Sequence, residues 1–376
     1  MRIPLYNQHS QNLYRRNKNL LKILHIDAWL LLCILMLLSA SLVLVYSSSG
    51  GDMDVVTRHL VRIGFSLGLM VVFAQIPPNI LYIFTPWLFL LGILMLIGVI
   101  LFGDMGKGAQ RWLEIGPVRF QPSEIMKLVL PITVAWLFAH TTLPPGYLRL
   151  MVGAGFIALT AGLIVVQPDL GSALLITMSG LFVLFFAGLS WRFMLGSVTV
   201  AVISLPILWH FMRDYQKQRV LTFLDPETDP LGSGYHIIQS KIAIGSGGIE
   251  GKGFLGSTQA HLEFLPESTT DFIFAVLAEE FGLIGVISLL ALYLLVIARG
   301  LYIASQAQDN FTRLVAASLT MTLFVYVLVN IGMVSGLLPV VGLPLPLISY
   351  GGSAMMTLMI SFGILMSIHT HKKMLS

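Results

Sequence analysis

Charge is scarce in this chain. Only 11% of its 376 residues are Asp, Glu, Lys or Arg, against 56% that are apolar, and the mean hydropathy is +0.86. A soluble domain so poor in charge could not keep its outer surface wet. Cysteine is almost missing as well: Cys33 stands alone, which excludes an intramolecular disulfide and a cysteine-based metal centre. His236 and His261 have no HExxH pattern and no neighbouring Cys, so a dedicated zinc site is not expected. A cleavable leader is not expected either, because Met1–Leu24 is polar and basic and the first apolar run is of full membrane length.

What the chain has is long apolar runs. Ten of them, roughly 27–47, 58–76, 79–101, 122–140, 149–166, 169–188, 191–210, 281–303, 310–334 and 350–369, each approach the ~20 residues that cross ~30 Å of hydrocarbon as a helix. The expected fold is an all-α integral membrane protein, a bundle of about ten transmembrane helices. Its parts are an N-terminal segment (1–26), helices 1–7 (27–210), a large extracytoplasmic loop between helices 7 and 8 (211–270), helices 8–10 (271–369) and a tail (370–376).

Basic residues set the orientation. Arg15, Arg16, Lys18 and Lys22 precede the first run, Arg149, Arg192, Arg299 and Arg313 lie in connections of one parity, and Lys372 and Lys373 follow the last. The positive-inside rule then predicts both termini in the cytoplasm and the long loop outside. The small basic excess, 22 against 18 acidic residues, flanks membrane runs. It is expected to meet anionic lipid headgroups, and no nucleic-acid partner is expected. Lys107, Arg111, Arg119 and Lys127 fall on the external side against the rule, which suggests a task there.

Four outside-to-inside runs begin with polar signatures: Gln121-Pro122-Ser123-Glu124, Gln167-Pro168-Asp169, Thr269-Thr270-Asp271 and Ser349-Tyr350-Gly351-Gly352-Ser353. Each reads as a helix start, with Pro at the first position or a Ser, Thr or Asp cap. Taken singly, capping explains them. Together they aim four positive dipole ends at one membrane face near Arg111 and Lys127, a suitable surface for a phosphate-like anion. Glu124 and Lys127, three apart, share a helix face and are expected to pair. Asp169 could open into the same pocket. Glu279 and Glu280 are expected to mark where a tilted or projecting helix enters the membrane, as interfacial anchors. The run Gly245–Gly253 lacks the spacing of a P-loop and no strand precedes it, so no nucleotide is expected. A tightly folded re-entrant loop suits those glycines better.

The combination of motifs resembles the SEDS family of bacterial shape, elongation, division and sporulation proteins, and the resemblance spans the chain from about the first run to the last. It rests on Phe264-Leu265-Pro266-Glu267, Thr270-Asp271-Phe272-Ile273-Phe274-Ala275 with Glu279-Glu280, on Gly342-Leu343-Pro344-Leu345-Pro346 leading into Ser349-Tyr350-Gly351-Gly352-Ser353, and on the two Gln-Pro motifs. The form of the last motif points to the elongation branch rather than the division branch.

The resemblance implies ten transmembrane helices in the cytoplasmic membrane and peptidoglycan glycosyltransferase activity on lipid II, with a class B penicillin-binding protein as partner. It places Asp271 at the catalytic aspartate, and Glu124, Lys127, Arg111 and Asp169 at polar positions lining the cavity, with Ser349, Gly351 and Gly352 beside them. Many relatives carry His where this chain has Thr269, so no imidazole role carries over. Chemistry agrees with that reading. A carboxylate base at Asp271 and cations at Arg111 and Lys127 suffice for attack on a lipid-pyrophosphate donor, and Mg²⁺ or Mn²⁺ bridging a carboxylate and phosphate is the expected cofactor. The competing expectation is a lipid II flippase or other multi-pass transporter, which also places ionisable groups in a bundle. Against it, the polar groups crowd one face and no duplicated half is visible. A non-enzymatic scaffold would leave the ordered carboxylates unexplained.

Overall fold

The computed structural model describes residues 24–371, apart from 107–108, 116–117, most of 191–232, and positions 263 and 266. The basic termini, most of the seventh predicted run, Lys107 and Asp214 therefore lie outside the described residues, as does the side chain of Arg119. The described elements are α1 (Ala28–Ser48), α2 (Met53–Gln75), α3 (Pro78–Phe102), β1 (Asp104–Gly106), β2 (Ala109–Ile115), β3 (Val118–Phe120), α4 (Pro122–Phe138), α5 (Tyr147–Val166), α6 (Leu170–Phe186), α7 (Ser233–Gly247), α8 (Thr258–His261), α9 (Ile273–Ser305), α10 (Asn310–Val334) and α11 (Ser353–Thr370).

All-α is the right class for the bundle, and seven of the described helices are long and apolar enough to cross a membrane. Two additions were not expected. A small antiparallel sheet in the order β1-β2-β3 bridges α3 and α4. The segment predicted as an external loop holds α7 and α8, so it is in part ordered helix.

Helix starts follow local chemistry, with Asp27, Asp52, Asp169 and Asp309 each accepting from a free backbone N–H of the first turn. Burial then sorts the helices. In α10, 78% of the most apolar window is buried and in α11 67%, whereas α2, α3 and α5 reach only 22%. The first two form the centre and the last three present apolar side chains such as Phe65, Trp87 and Met151 outward, as a lipid-facing helix must.

Helix α9 spans 33 residues, more than one perpendicular crossing needs. It is two successive helices that meet at a kink at Gly282, with φ 60° and ψ −158°, a region essentially reserved for glycine. The break strands backbone groups, and the glycine-rich segment after α7 pairs them. Lys252 N donates to Glu279 O at 2.9 Å and Gly253 N to Glu280 O at 2.9 Å, while Leu283 N and Ile284 N donate to Gly248 O and Ile249 O at 3.0 and 3.2 Å. Irregular backbone at such a place persists only when it is buried in protein and satisfied there. The approach is so close that a Cβ on Gly251 would run into the Glu280 carbonyl. This corrects the expectation for the two glutamates: Glu279 is 0% and Glu280 1% exposed, so they face into the protein and are not interfacial anchors.

The break makes a stability prediction. Gly251→Ala forces a side chain against backbone at φ +82° and should cost at least ~2 kcal/mol, combining left-handed strain with a clash no rotamer relieves. Gly245→Ala, inside α7 with nothing within 4 Å, should be neutral or gain up to ~1 kcal/mol. Equal melting temperatures for the two detergent-purified variants would show that the segment does not close the break.

Candidate active site

The turn Gln121-Pro122 starts α4, and its first two turns carry Glu124 and Lys127 into the bundle. Lys127 Nζ donates to Glu124 Oε1 at 2.6 Å and to the Tyr326 hydroxyl at 3.2 Å, and it sits 4.9 Å from the centre of the Tyr326 ring. Both charged groups are buried, Lys127 at 3% and Glu124 at 7% exposure. Each therefore requires the other, since a lone charge there would cost several kcal/mol. Glu124 Oε2 is buried and has no hydrogen-bond partner among the described residues. The cleft at this pair is also lined by Thr322, Thr357 and Ser361.

A second group joins the sheet to α6. Strand β2 carries Arg111, whose Nη2 donates to Pro168 O at 2.8 Å and whose Nε lies 3.9 Å from Asp169 Oδ2. The same carboxylate oxygen accepts from Gln121 Nε2 at 2.9 Å, and Asp169 Oδ1 caps α6 through Ser172 N at 3.3 Å. Asp169 is close enough for its charge to act on Lys127, so the two groups form one electrostatic neighbourhood.

Asp271 belongs to a third. It is half-buried in the turn before α9, and the N-cap of α9 is Phe272 without a side-chain bond. The capping explanation therefore fails for Asp271. Its backbone is gripped instead. Asn330 Nδ2 donates to Asp271 O at 2.9 Å and to Leu343 O at 2.6 Å. Ser349 Oγ donates to Thr270 O at 2.5 Å, and Tyr350 N donates to Thr269 O at 2.9 Å. Ser349 is thus not a cap either, but the link that lays one motif on the other. A Cβ on Gly342 would stand 3.5 Å from Asp271 Oδ2, which puts the loop before α11 alongside the carboxylate.

Gly351 and Gly352 sit to one side of this. Gly352 is the N-cap of α11, and a Cβ there would come 3.9 Å from the Arg62 side chain. That guanidinium lies 4.3 Å over the Tyr350 ring. His59, fully buried on α2 one turn before Arg62, meets Ser41 Oγ at 2.8 Å.

Three participants were not singled out in the sequence: Tyr326, Asn330 and Arg62. The signal was available in each case: Tyr326 and Asn330 are isolated polar side chains inside an apolar run, and Arg62 is a charged one a turn into the second run. Tyr326 and Asn330 are also four apart and so share one face of α10. That face touches Lys127 with one residue and holds the Asp271 backbone with the other. The Asp271 charge acts in turn on the Tyr326 hydroxyl. Among the described residues no three of His, Cys, Asp and Glu cluster as a metal cage. The single carboxylates of Asp271 and Asp169 suit a divalent ion held mainly by a substrate's phosphates, the usual manner of Mg²⁺.

Comparison with known proteins bears on the whole length. The chain is 55% identical over 353 residues to the peptidoglycan glycosyltransferase MrdB of Escherichia coli (strain K12), covering 94% of this chain and 95% of that one. Among solved structures it resembles one described as the structural coordination of polymerization and crosslinking by a peptidoglycan synthase complex, with TM-score 0.80, 33% identity and coverage of 91% and 97%. It also resembles the rod shape determining protein RodA of Thermus thermophilus, with TM-score 0.71, 28% identity and coverage of 92% and 98%. With the family pattern matched from residue 19 to residue 374, the chain belongs to the FtsW/RodA/SpoVE family of cell cycle proteins, the SEDS family that its motifs resemble.

Proposed function

We propose that this protein is a peptidoglycan glycosyltransferase that polymerises lipid II into glycan strands at the outer face of the cytoplasmic membrane during cell elongation. The observation that carries the reading is near-complete alignment, at 55% identity, with a protein of that activity. The geometry supplies a chemistry for it. A sugar hydroxyl attacks the anomeric carbon of the lipid-linked donor, the bond from that carbon to the pyrophosphate oxygen breaks, and the pyrophosphate leaves with the electron pair. Asp271 takes the hydroxyl proton. Arg111 and Lys127, with the dipole ends of α4 and α6, oppose the charge that builds on the leaving group. Asp271 or Asp169 would hold a divalent cation, whose chemistry would be to neutralise charge on the leaving pyrophosphate. Crosslinking is a separate chemistry. A class B penicillin-binding protein supplies it, in keeping with the synthase complex that this fold resembles. Apolar outer helices let the substrate's polyprenyl tail stay in the bilayer, and the donor's pyrophosphate makes a nucleotide unnecessary.

The orientation proposed with this reading puts both termini in the cytoplasm and α7, α8 and Asp271 outside. In a Cys33→Ser background, Glu250→Cys, exposed in the loop after α7, should react with an impermeant thiol reagent in intact cells, and Ser305→Cys at the end of α9 should not. Reaction at position 305 alone would invert the topology.

For Asp271, replacement by Asn keeps size and removes the proton acceptor. Purified Asp271→Asn with lipid II and a divalent ion should polymerise ~10²–10⁴-fold more slowly than wild type. Near-normal polymer, or lipid translocation without polymer from wild type, would overturn the assignment.

Glu124 and Lys127 can be separated into charge pairing and chemistry. Glu124→Gln and Lys127→Met should each lose stability by ~3–5 kcal/mol, because each leaves a buried charge alone, and each should lose most polymerase activity. The double variant should regain much of the stability, with activity no lower than in either single variant and still far below wild type. Recovery of activity together with stability would make the pair purely architectural.

A further inference from the structure

The site just described has no use for the most heavily hydrogen-bonded carboxylate in the described protein. Glu279 lies eight residues after Asp271, at most about 12 Å along the same half-helix at ~1.5 Å per residue. Its Oε1 accepts from Lys252 Nζ at 2.6 Å, Thr258 Oγ1 at 2.9 Å and Thr258 N at 3.1 Å. Its Oε2 accepts from Ser257 Oγ at 2.6 Å and Gln259 N at 3.4 Å. The carboxylate thereby caps the short helix α8 and pairs with the lysine of the segment that closes the break at Gly282. The side chain of Glu279 is 0% exposed and that of Lys252 31%. Glu280 beside it accepts from Ser47 Oγ and from Ser257 N, adding the end of α1 to the same node.

Mechanically, the half-helix between Asp271 and Gly282 is held at two ends. Asn330 and Ser349 hold the Asp271 end through backbone carbonyls, and the Glu279 node holds the other. Between them lies helix, which transmits rotation and translation with little loss. We propose that the Glu279–Lys252 pair is a positioning device for Asp271: it sets the height and rotation of the half-helix and so the place of the reacting carboxylate. The inference rests on the glycosyltransferase reading and on Asp271 as its base. A buried ion pair kept only for stability could be replaced by apolar side chains at little cost. One that positions a reacting group cannot, because displacement of about 1 Å can cost ~10²-fold in rate.

The test uses full-length protein in detergent with lipid II, comparing Glu279→Gln, Glu279→Asp, Lys252→Met and the Glu279→Gln/Lys252→Met double variant. Melting temperature and folded fraction are measured for each. Expected are a 10- to 100-fold fall in kcat for Glu279→Gln and Lys252→Met with KM for lipid II within about threefold of wild type, partial rescue in Glu279→Asp, and a double variant no worse than the singles. Activity per folded molecule equal to wild type in both single variants would overturn the proposal, leaving the pair a matter of stability. If Glu279→Gln does not fold, Lys252→Met, altered at the more exposed partner, carries the same comparison. Asp271→Asn in the same assay keeps the two inferences apart. Near-normal polymer from Asp271→Asn defeats the base assignment. Its loss of activity beside a normal Glu279→Gln defeats only the positioning role.

Discussion

Backbone hydrogen bonding across the break at Gly282 is the constraint on which the Asp271 half of the molecule depends. A helix that stops inside a bundle exposes donors and acceptors that no lipid can satisfy. Here the segment 248–253 takes their place, and it can do so only because glycines at 247, 251 and 282 let backbones touch. The arrangement ties α7, the loop after it and α9 into one piece. Asp271 stands at the head of that piece, so the same hydrogen bonds that make the break tolerable also locate the carboxylate.

Helix α10 performs the corresponding service from the centre of the bundle. It is the most buried of the membrane-length helices, and its two polar contacts with the site are one turn apart. Tyr326 meets the buried Lys127 and Asn330 bridges Asp271 O to Leu343 O. An amide that donates to two carbonyls from separate motifs makes their relative placement a single geometric fact. Ser349 and Tyr350 add two more bonds in the same sense. The cations lie on the α4 and β2 side of this arrangement, which leaves the half-buried Asp271 between that charged interior and the loops at the head of α9 and α11.

The opposite end of the bundle is closed by charge. Arg299 on α9 holds Asp27 with two bonds, Nη2 to Oδ2 at 2.5 Å and Nε to Oδ1 at 3.1 Å, while Asp27 also caps α1 through Leu30 N at 2.8 Å. His369 of α11 lies 3.3 Å from the same carboxylate. Three helices are thus pinned where the chain enters and leaves the bundle. A bidentate pair of this kind has the directional strength to fix helix register, and it is remote from the chemistry.

Much of this protein was legible in its residues alone. Apolar runs of membrane length show where helices must be, because hydrocarbon permits no other way of pairing a crossing backbone. Spacing of three placed Glu124 beside Lys127, and the four polar signatures marked one face of the bundle. Other features were hidden because they depend on partners far away in the chain. Strands β1 and β3 have only three residues each, and the seven of β2, AQRWLEI, do not alternate. Only Asp169 among the four signatures proved to cap its helix with a side chain, since Ser349 and the turn before Asp271 are bound to each other across 79 residues. Glu279 and Glu280 looked like interfacial anchors because nothing local says that a loop some 25 residues earlier will cover them. Sequence by itself determined the helical membrane class and the polar helix starts with their charged neighbours, all consequences of local hydrophobicity and spacing. Tertiary structure alone decided which buried polar groups satisfy one another, because that choice is made between segments distant in sequence, under the demand that no charge or backbone group be left unpaired inside the bundle.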